Sequence, residues 1–133
     1  MILHDIIHPT FADLSKDSEL FKMVTMDMAD NLASFVEKAG QASDGQAEYF
    51  PETSDRDDLI SFSMIPWIRF TGLSYMANIE RNDAIPRITC GKYYKDDSRI
   101  LLPFNFQVNH LFIDGIHLAR FKEILESRID GLL

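Results

Sequence analysis

Apolar and polar residues alternate in different ways along the first third of the chain. Residues 2–14 mix β-branched and aromatic side chains around Pro9, a pattern that predicts a strand or extended chain. From Asp17 to about Ala39 the apolar positions take a helical period, which predicts a long amphipathic helix with Ser18 as its N-cap and Gly40 at its end. The apolar face of that predicted helix consists of Leu20, Phe21, Met28, Leu32, Phe35 and Val36.

The rest of the chain has mainly strand-like segments. Residues 40–58 are polar and acidic and indicate a surface loop. Four segments then have strand composition, and they are residues 59–64, 67–76, 87–94 and 99–109. The tetrapeptide Lys-Asp-Asp-Ser at 95–98 predicts a hairpin turn.

A second helix is expected over residues 116–129, with Leu118, Phe121, Leu125 and Ile129 on one face and Gly131 beyond its end. We find no internal repeat. The order strand, helix, several strands, helix predicts an α+β chain with a mixed, largely antiparallel sheet.

Composition and charge limit the possible functions. The chain has 133 residues and 46% hydrophobic residues, so residues 1–133 are expected to form a single folded domain rather than a disordered segment. A net charge of −8 argues against binding to nucleic acids or anionic membranes, and an anionic ligand would need a local cationic pocket. The single cysteine, Cys90, cannot form an intrachain disulfide, which suits a reducing cytoplasm. Neither a signal peptide nor a membrane-spanning segment is predicted.

Two segments of the chain resemble metal-binding patterns only weakly. His4 and His8 are four residues apart, but they lie in predicted extended chain, and no evident set of further ligands accompanies them. The acidic run from Glu52 to Asp58 lacks the calcium-loop pattern and indicates a solvated loop. We therefore expect no bound metal.

The most informative segment is QVNHLFIDGIHLARF, residues 107–121. His110 stands at a predicted strand end, and Asp114 and Gly115 follow before a helix begins. This H-x-x-x-D-G pattern resembles that of CoA-dependent acyltransferases, which include the chloramphenicol acetyltransferases and the dihydrolipoyl acyltransferase cores.

The flanking segments narrow the resemblance. IPWIRFT (65–71), ITCGKYY (88–94) and LLPFNFQVNH (101–110) are similar to the strands of the chloramphenicol acetyltransferase family. The similarity covers essentially the whole chain, whereas the family's N-terminal strand-and-helix region has no counterpart here. It therefore implies the C-terminal part of an acyltransferase domain: a two-layer α+β sandwich with helices packed on one face of the sheet.

The resemblance implies a role for each motif residue. His110 would be the general base that takes the proton of an acceptor hydroxyl as this attacks the acetyl thioester, with no acyl-enzyme. Ser63 would donate to the oxyanion, and Thr89 would hold a water in the transition state. Asp114 would be a structural aspartate, which pairs in relatives with an arginine of the N-terminal region, and Gly115 would permit the turn into the helix. The alternatives are a core or capping histidine and ordinary strand hydroxyls.

Acetyl-CoA is the implied co-substrate. Lys92 resembles the lysine that meets the ribose 3′-phosphate, Tyr93 the tyrosine that packs against the adenine, and Trp67 the tryptophan near the pantetheine arm. The alternative interpretations are a solvated hairpin lysine and two core aromatics.

Departures from the family pattern leave the acceptor open. Asn109 replaces the first of two adjacent histidines, Asp13 and Leu14 stand in an otherwise aromatic-rich stretch, and Arg69 and Arg87 replace small or apolar residues. The resemblance implies a chloramphenicol-like hydroxyl acceptor, a role in antibiotic resistance, and a homotrimer with active sites between subunits. A non-catalytic fragment that only assembles, or an enzyme with a thiol acceptor, remains an alternative.

Overall fold

The computed structural model describes residues 2–16, 18–51, 56–75 and 82–132. The first half of the chain contains β1 (His8–Leu14), β2 (Phe21–Thr25), α1 (Leu32–Gly45) and β3 (Leu59–Met64). The second half contains β4 (Arg87–Cys90), β5 (Tyr94–Asp96), β6 (Arg99–Leu101), β7 (Phe104–Gln107) and α2 (Gly115–Asp130).

Five strands form one mixed sheet in the order β2-β1-β3-β4-β7. β1, β3 and β4 run parallel to one another, while β2 and β7 are antiparallel to their neighbours. β5 and β6 form a separate antiparallel hairpin. Two of the four pairings within the five-stranded sheet are antiparallel and two are parallel, so the predicted mixed sheet is confirmed, although this sheet is not largely antiparallel.

The strand register divides the sheet into two chemically different faces. One row of paired residues is apolar across all five strands: Val24, Phe11, Phe62, Ile88 and Phe106. The next row is polar across all five: Thr25, Thr10, Ser61, Arg87 and Gln107. Because side chains alternate along a strand, these two rows point to opposite sides of the sheet, here named the apolar face and the polar face.

Both helices contact the apolar face, as the resemblance implies. The Phe121 ring of α2 stacks on Phe106 with centroids 4.8 Å apart. In α1, Ser43 donates a hydrogen bond to the carboxylate of Asp13, which lies on the same face as Phe11. The polar face therefore lies away from both helices.

The most deeply buried apolar side chains lie in the sheet itself. Val24, Leu59 and Ile88 are at most 2% exposed. Burial of an aliphatic side chain of this size contributes about 1.5–3 kcal/mol. The buried core thus extends from the edge strand β2 to the central strands β3 and β4, which also carry Ser63 and Thr89.

The predicted helix from Asp17 to Ala39 is wrong in its first half. Residues 21–25 form β2, because Phe-Lys-Met-Val-Thr pairs along its length with β1 and places Val24 in the core. The helix begins only at Leu32 and runs through Gly40 to Gly45. Its N-cap is Asn31, whose side chain accepts a hydrogen bond from Ser34 N at 3.0 Å, rather than Ser18.

The other segment predictions have mixed outcomes. Residues 67–75 contain no strand, and Met76 lies outside the described residues. Residues 87–94 contain only β4 and the start of β5, and residues 99–109 divide into β6 and β7 around Pro103, which has no N–H to donate. The predicted turn is confirmed, with Asp97 at φ 51° between β5 and β6. The last helix is also confirmed.

Candidate active site

Ser63 and Thr89 lie side by side on the polar face. Their Cα atoms are paired in the parallel register of β3 and β4, so adjacent strands about 4.8 Å apart present both hydroxyls to the same side. Among the described residues Ser63 Oγ has no hydrogen-bond partner, which leaves its proton available to a ligand. The structure thus brings together two of the predicted site residues.

Thr89 is fully buried, and its hydroxyl is hydrogen-bonded to the hydroxyl of Tyr75. Tyr75 belongs to the irregular segment that follows β3, where the sequence pattern suggested a strand. Tyr75 is therefore a member of this cluster that no motif in the sequence indicated. A hydroxyl has one donor and two acceptor positions, so Thr89 retains capacity for a further partner.

His110 lies in the turn between β7 and α2 and is 84% exposed. Its Nδ1 is 2.9 Å from Oδ1 of Asp114, the residue that precedes α2. Because a carboxylate can only accept, Nδ1 of the neutral imidazole is the donor and the lone pair of Nε2 remains free.

Asn109 holds the His110 turn in place. Its backbone carbonyl accepts from Phe112 N at 3.0 Å and Ile113 N at 3.1 Å, and its side-chain oxygen accepts from Leu111 N at 3.0 Å. The side-chain nitrogen donates to the backbone carbonyl of Asp83 at 3.0 Å. Asn109, which replaces the first of the family's two adjacent histidines, therefore stabilises the loop through these hydrogen bonds.

Within one chain, His110 and Ser63 lie at opposite ends of the sheet. Ser63 and Thr89 are near the carboxyl ends of β3 and β4, where Thr89 pairs with Asn105. β7 runs antiparallel to β4, and His110 follows Asn105 by five residues toward the other end. At about 3.3 Å per strand residue Gln107 is already about 7 Å beyond the level of Asn105, and β7 lies two strands, or about 10 Å, from β3.

The three residues assigned to acetyl-CoA all lie at the surface near the end of β4. Trp67 is 67% exposed and Tyr93 is 65% exposed, so the core interpretation of these aromatics is wrong. Lys92 is also exposed, and its backbone N donates to Ile68 O at 2.8 Å, which holds the Trp67 segment beside it. Gly91 permits this approach, because a Cβ there would lie 2.8 Å from Ile68 O.

A cavity of about 320 Å³ lies next to this segment. Residues 69–72, Tyr94 and residues 103–105 line it. The Arg69 guanidinium lies over the Tyr94 ring, 3.6 Å from its centroid. Arg69 departs from the family pattern, but no feature of the sequence indicated this cavity.

Arg87 and Cys90 border the hydroxyl pair on opposite faces of β4. Arg87 Nη2 lies 2.6 Å from Asp83 Oδ2, so its charge is already compensated. Cys90 belongs to the apolar face, and burial raises the pKa of its thiol. The side chain of Cys90 therefore points away from Ser63, and its raised pKa disfavours the thiolate form.

The histidines near the N-terminus do not share a site. His4 Nε2 contacts Asp57 at 2.8 Å, whereas His8 Nδ1 contacts Asp27 at 3.2 Å. Residues 52–55 of the acidic run lie outside the described residues, and Arg56 pairs with Asp58.

In the ranges that the structure describes, no helix is long and apolar enough to cross a membrane.

Comparison with known proteins decides the family. Residues 1–126 match the family model described as chloramphenicol acetyltransferase. The chain belongs to the chloramphenicol acetyltransferase family.

Curated relatives agree with this membership. The chain is 33% identical over 121 residues to a chloramphenicol acetyltransferase of Clostridium perfringens, covering 88% of this chain and 55% of the relative. It is 31% identical over 141 residues to chloramphenicol acetyltransferase 2 of Haemophilus influenzae, covering 100% of this chain and 64% of the relative. The chain thus spans between about half and two thirds of the length of these relatives.

Solved structures establish the chloramphenicol acetyltransferase fold. A chloramphenicol acetyltransferase superposes with a TM-score of 0.79 at 21% identity, over 94% of this chain and 62% of the other. The dihydrolipoamide acetyltransferase of Azotobacter vinelandii gives 0.65 at 18% identity, over 95% of this chain and 54% of the other. The α+β acyltransferase fold predicted from the sequence is confirmed.

Proposed function

We propose that this chain provides the catalytic histidine and the oxyanion donor of an acetyl-CoA-dependent O-acetyltransferase whose acceptor is a chloramphenicol-like small molecule. The observation that carries the proposal is the contact between Nδ1 of the exposed His110 and Asp114 at a family motif, which leaves Nε2 available to accept a proton. Ser63, whose hydroxyl has no partner among the described residues, supplies the second requirement.

The chemistry needs one base and one hydrogen-bond donor. His110 Nε2 takes the proton of the acceptor hydroxyl while the hydroxyl oxygen attacks the carbonyl carbon of the acetyl thioester. The resulting oxyanion accepts a hydrogen bond from Ser63 Oγ. When the carbon–sulfur bond breaks, the CoA thiolate takes the proton back from His110, so acetyl ester and free thiol leave together. Positioned proton transfer of this kind contributes about 10²–10⁴ in rate.

A complete site needs more than one copy of the chain, since His110 and Ser63 are far apart within it. We propose that copies assemble as a homotrimer, in which His110 of one copy meets Ser63 of the next. Two features support an association: both helices lie on the apolar face, and no residue of α2 is buried. An isolated chain therefore leaves the surface of α2 available for contacts with other copies.

The co-substrate assignment rests on exposed groups at one end of the sheet. Lys92 would bind a phosphate of acetyl-CoA, and Tyr93 and Trp67 would contact its adenine and pantetheine parts. Thr89 would hold a water once the Tyr75 hydroxyl shares or releases it. Cys90, half-buried on the other face, takes no part, in keeping with direct transfer and with a reducing cytoplasm.

Release of CoA thiol from acetyl-CoA, with chloramphenicol and other hydroxyl compounds as acceptors, tests the proposal. The His110→Ala variant should lose turnover, whereas His4→Ala, which removes a distant histidine paired with Asp57, should keep it. Equal rates for His110→Ala and the unmodified chain would refute the proposed base.

A non-catalytic subunit is the second candidate, favoured by the separation of His110 and Ser63 within one chain. Light scattering on the purified chain separates the two candidates when combined with the thiol assay. A trimer that turns over no hydroxyl acceptor would favour assembly alone. Including dihydrolipoamide among the acceptors tests the thiol alternative, for which the fold likeness to a dihydrolipoamide acetyltransferase is the motive.

A further inference from the structure

Arg69 is a cation that lines the cavity between residues 69–72 and 103–105. Three backbone hydrogen bonds hold this region: Ile65 N to Cys90 O at 2.8 Å, Lys92 N to Ile68 O at 2.8 Å, and Gly91 N to Pro103 O at 2.9 Å. The Tyr94 ring then supports the guanidinium from one side at 3.6 Å. A long, flexible side chain is thus held in place without a carboxylate.

The charge of Arg69 is uncompensated within the described part of the chain, where no carboxylate lies within ion-pairing distance of it. Arg56 and Arg87, in contrast, each bind an aspartate. In a protein of net charge −8, a supported guanidinium with free N–H groups is a local site for an anion. The planar donors suit a phosphate, which they can bind with two parallel hydrogen bonds.

The position of the cavity connects it to the proposed reaction. Asn105 lines the cavity and pairs with Thr89, which is itself paired with Ser63. Tyr94, which also lines the cavity, follows directly after Lys92 and Tyr93 in the chain. At about 320 Å³ the cavity is at the lower end of the range for ligand pockets, about 300–1,000 Å³, so it suits one part of a large ligand.

We propose that Arg69, supported by Tyr94, is a second phosphate-binding cation for acetyl-CoA, in addition to Lys92. The proposal rests on the proposed function, because it takes acetyl-CoA as the anionic co-substrate. It adds a binding residue and a pocket that the motif residues did not indicate, and it gives the acidic chain two cations for a ligand with several phosphates.

Equilibrium binding of CoA, measured by calorimetry in the absence of any acceptor, tests the proposal. Arg69→Gln should weaken binding roughly 10-fold, the low end for loss of a charge-assisted hydrogen bond, because the site is exposed. Tyr94→Leu should weaken binding less, and Tyr94→Phe, which keeps the ring, should leave it unchanged. Arg120→Gln, an identical change at an exposed position of α2, is the matched control.

Comparison with dephospho-CoA locates the phosphate. If Arg69 meets the 3′-phosphate, Arg69→Gln will weaken CoA but not dephospho-CoA; if it meets the diphosphate, it will weaken both. Equal CoA affinities for Arg69→Gln, Arg120→Gln and the unmodified chain would overturn the role of Arg69 alone. No CoA binding by the unmodified chain would instead remove the acetyl-CoA assignment and this proposal with it.

Discussion

His110 Nδ1 and Asp114 Oδ1 lie 2.9 Å apart, one on each side of the turn that leads into α2. The resemblance implied an arginine of the N-terminal region as the partner of Asp114. Asp114 is instead 62% exposed and faces the imidazole of its own motif. Its charge is therefore solvated within this chain, and its contact with Nδ1 orients the imidazole ring.

Removing that contact should reduce turnover. His110→Ala should lower kcat about 10²–10⁴-fold, because it removes the base. We expect Asp114→Ala to lower kcat by less, because the base remains and only its orientation is lost. In the double variant, loss of Asp114 should add nothing, since its effect acts through His110. Steady-state kinetics on the four proteins measures this, and an additive double variant would contradict it.

Ser63 should matter for the transition state more than for substrate binding. Ser63→Ala should lower kcat about 10²–10³-fold with little change in KM, as expected for one oxyanion donor. Ser127→Ala on the exposed surface of α2 makes the same chemical change away from the site. A Ser63→Ala enzyme with unchanged kcat would exclude an oxyanion role.

The Tyr75–Thr89 hydroxyl pair predicts an asymmetry in stability. Tyr75→Phe leaves the hydroxyl of fully buried Thr89 without its partner, which should cost about 1–3 kcal/mol. Thr89→Val leaves only Tyr75 unpaired, and this residue is 36% exposed and can bind water, so the cost should be smaller. Urea denaturation of both variants measures the two free energies of unfolding. The reverse order would mean that the pair does not form.

The sequence was most informative where the pattern was local. The motif fixed the end of β7, the turn and the start of α2, and the alternating residues 59–64 identified β3. Prediction from the sequence pattern failed for residues 21–25, because their strand conformation depends on pairing with β1. It also failed for residues 67–75, where Ile68 packs closely on Gly91. The cavity at Arg69 depends on that same packing, so no periodicity could have revealed it.

The Arg56–Asp58 pair predicts a pH dependence of stability. Arg56 donates to both oxygens of Asp58, at 2.8 and 2.9 Å, and these hydrogen bonds lower the pKa of Asp58 in the folded chain. The stabilisation is therefore present above the unfolded pKa of about 3.9 and is lost as the pH falls through the folded pKa. Melting temperatures of the unmodified chain and Asp58→Asn should differ at pH 6 and converge below pH 4. Asp5→Asn serves as the control, and curves that stay parallel would contradict the prediction.

Cys90 should react slowly with thiol reagents. Burial raises the pKa of its thiol, so less thiolate is present at neutral pH than for a free cysteine. We expect modification by an aromatic disulfide at pH 7 to be slower than that of glutathione, and to reach the glutathione rate in denaturant. Fast modification of the folded chain would show that the thiol is accessible. Slow modification also allows CoA thiol release to be followed without interference.

The polar row formed by Thr25, Thr10, Ser61, Arg87 and Gln107 crosses every strand of the sheet. Several groups of the row are already satisfied inside the chain, because the Thr25 hydroxyl donates to the Thr10 hydroxyl at 3.0 Å and Arg87 binds Asp83. On the side of the sheet away from the helices, side-chain hydrogen bonds thus add to the backbone ladder that joins β1 and β2.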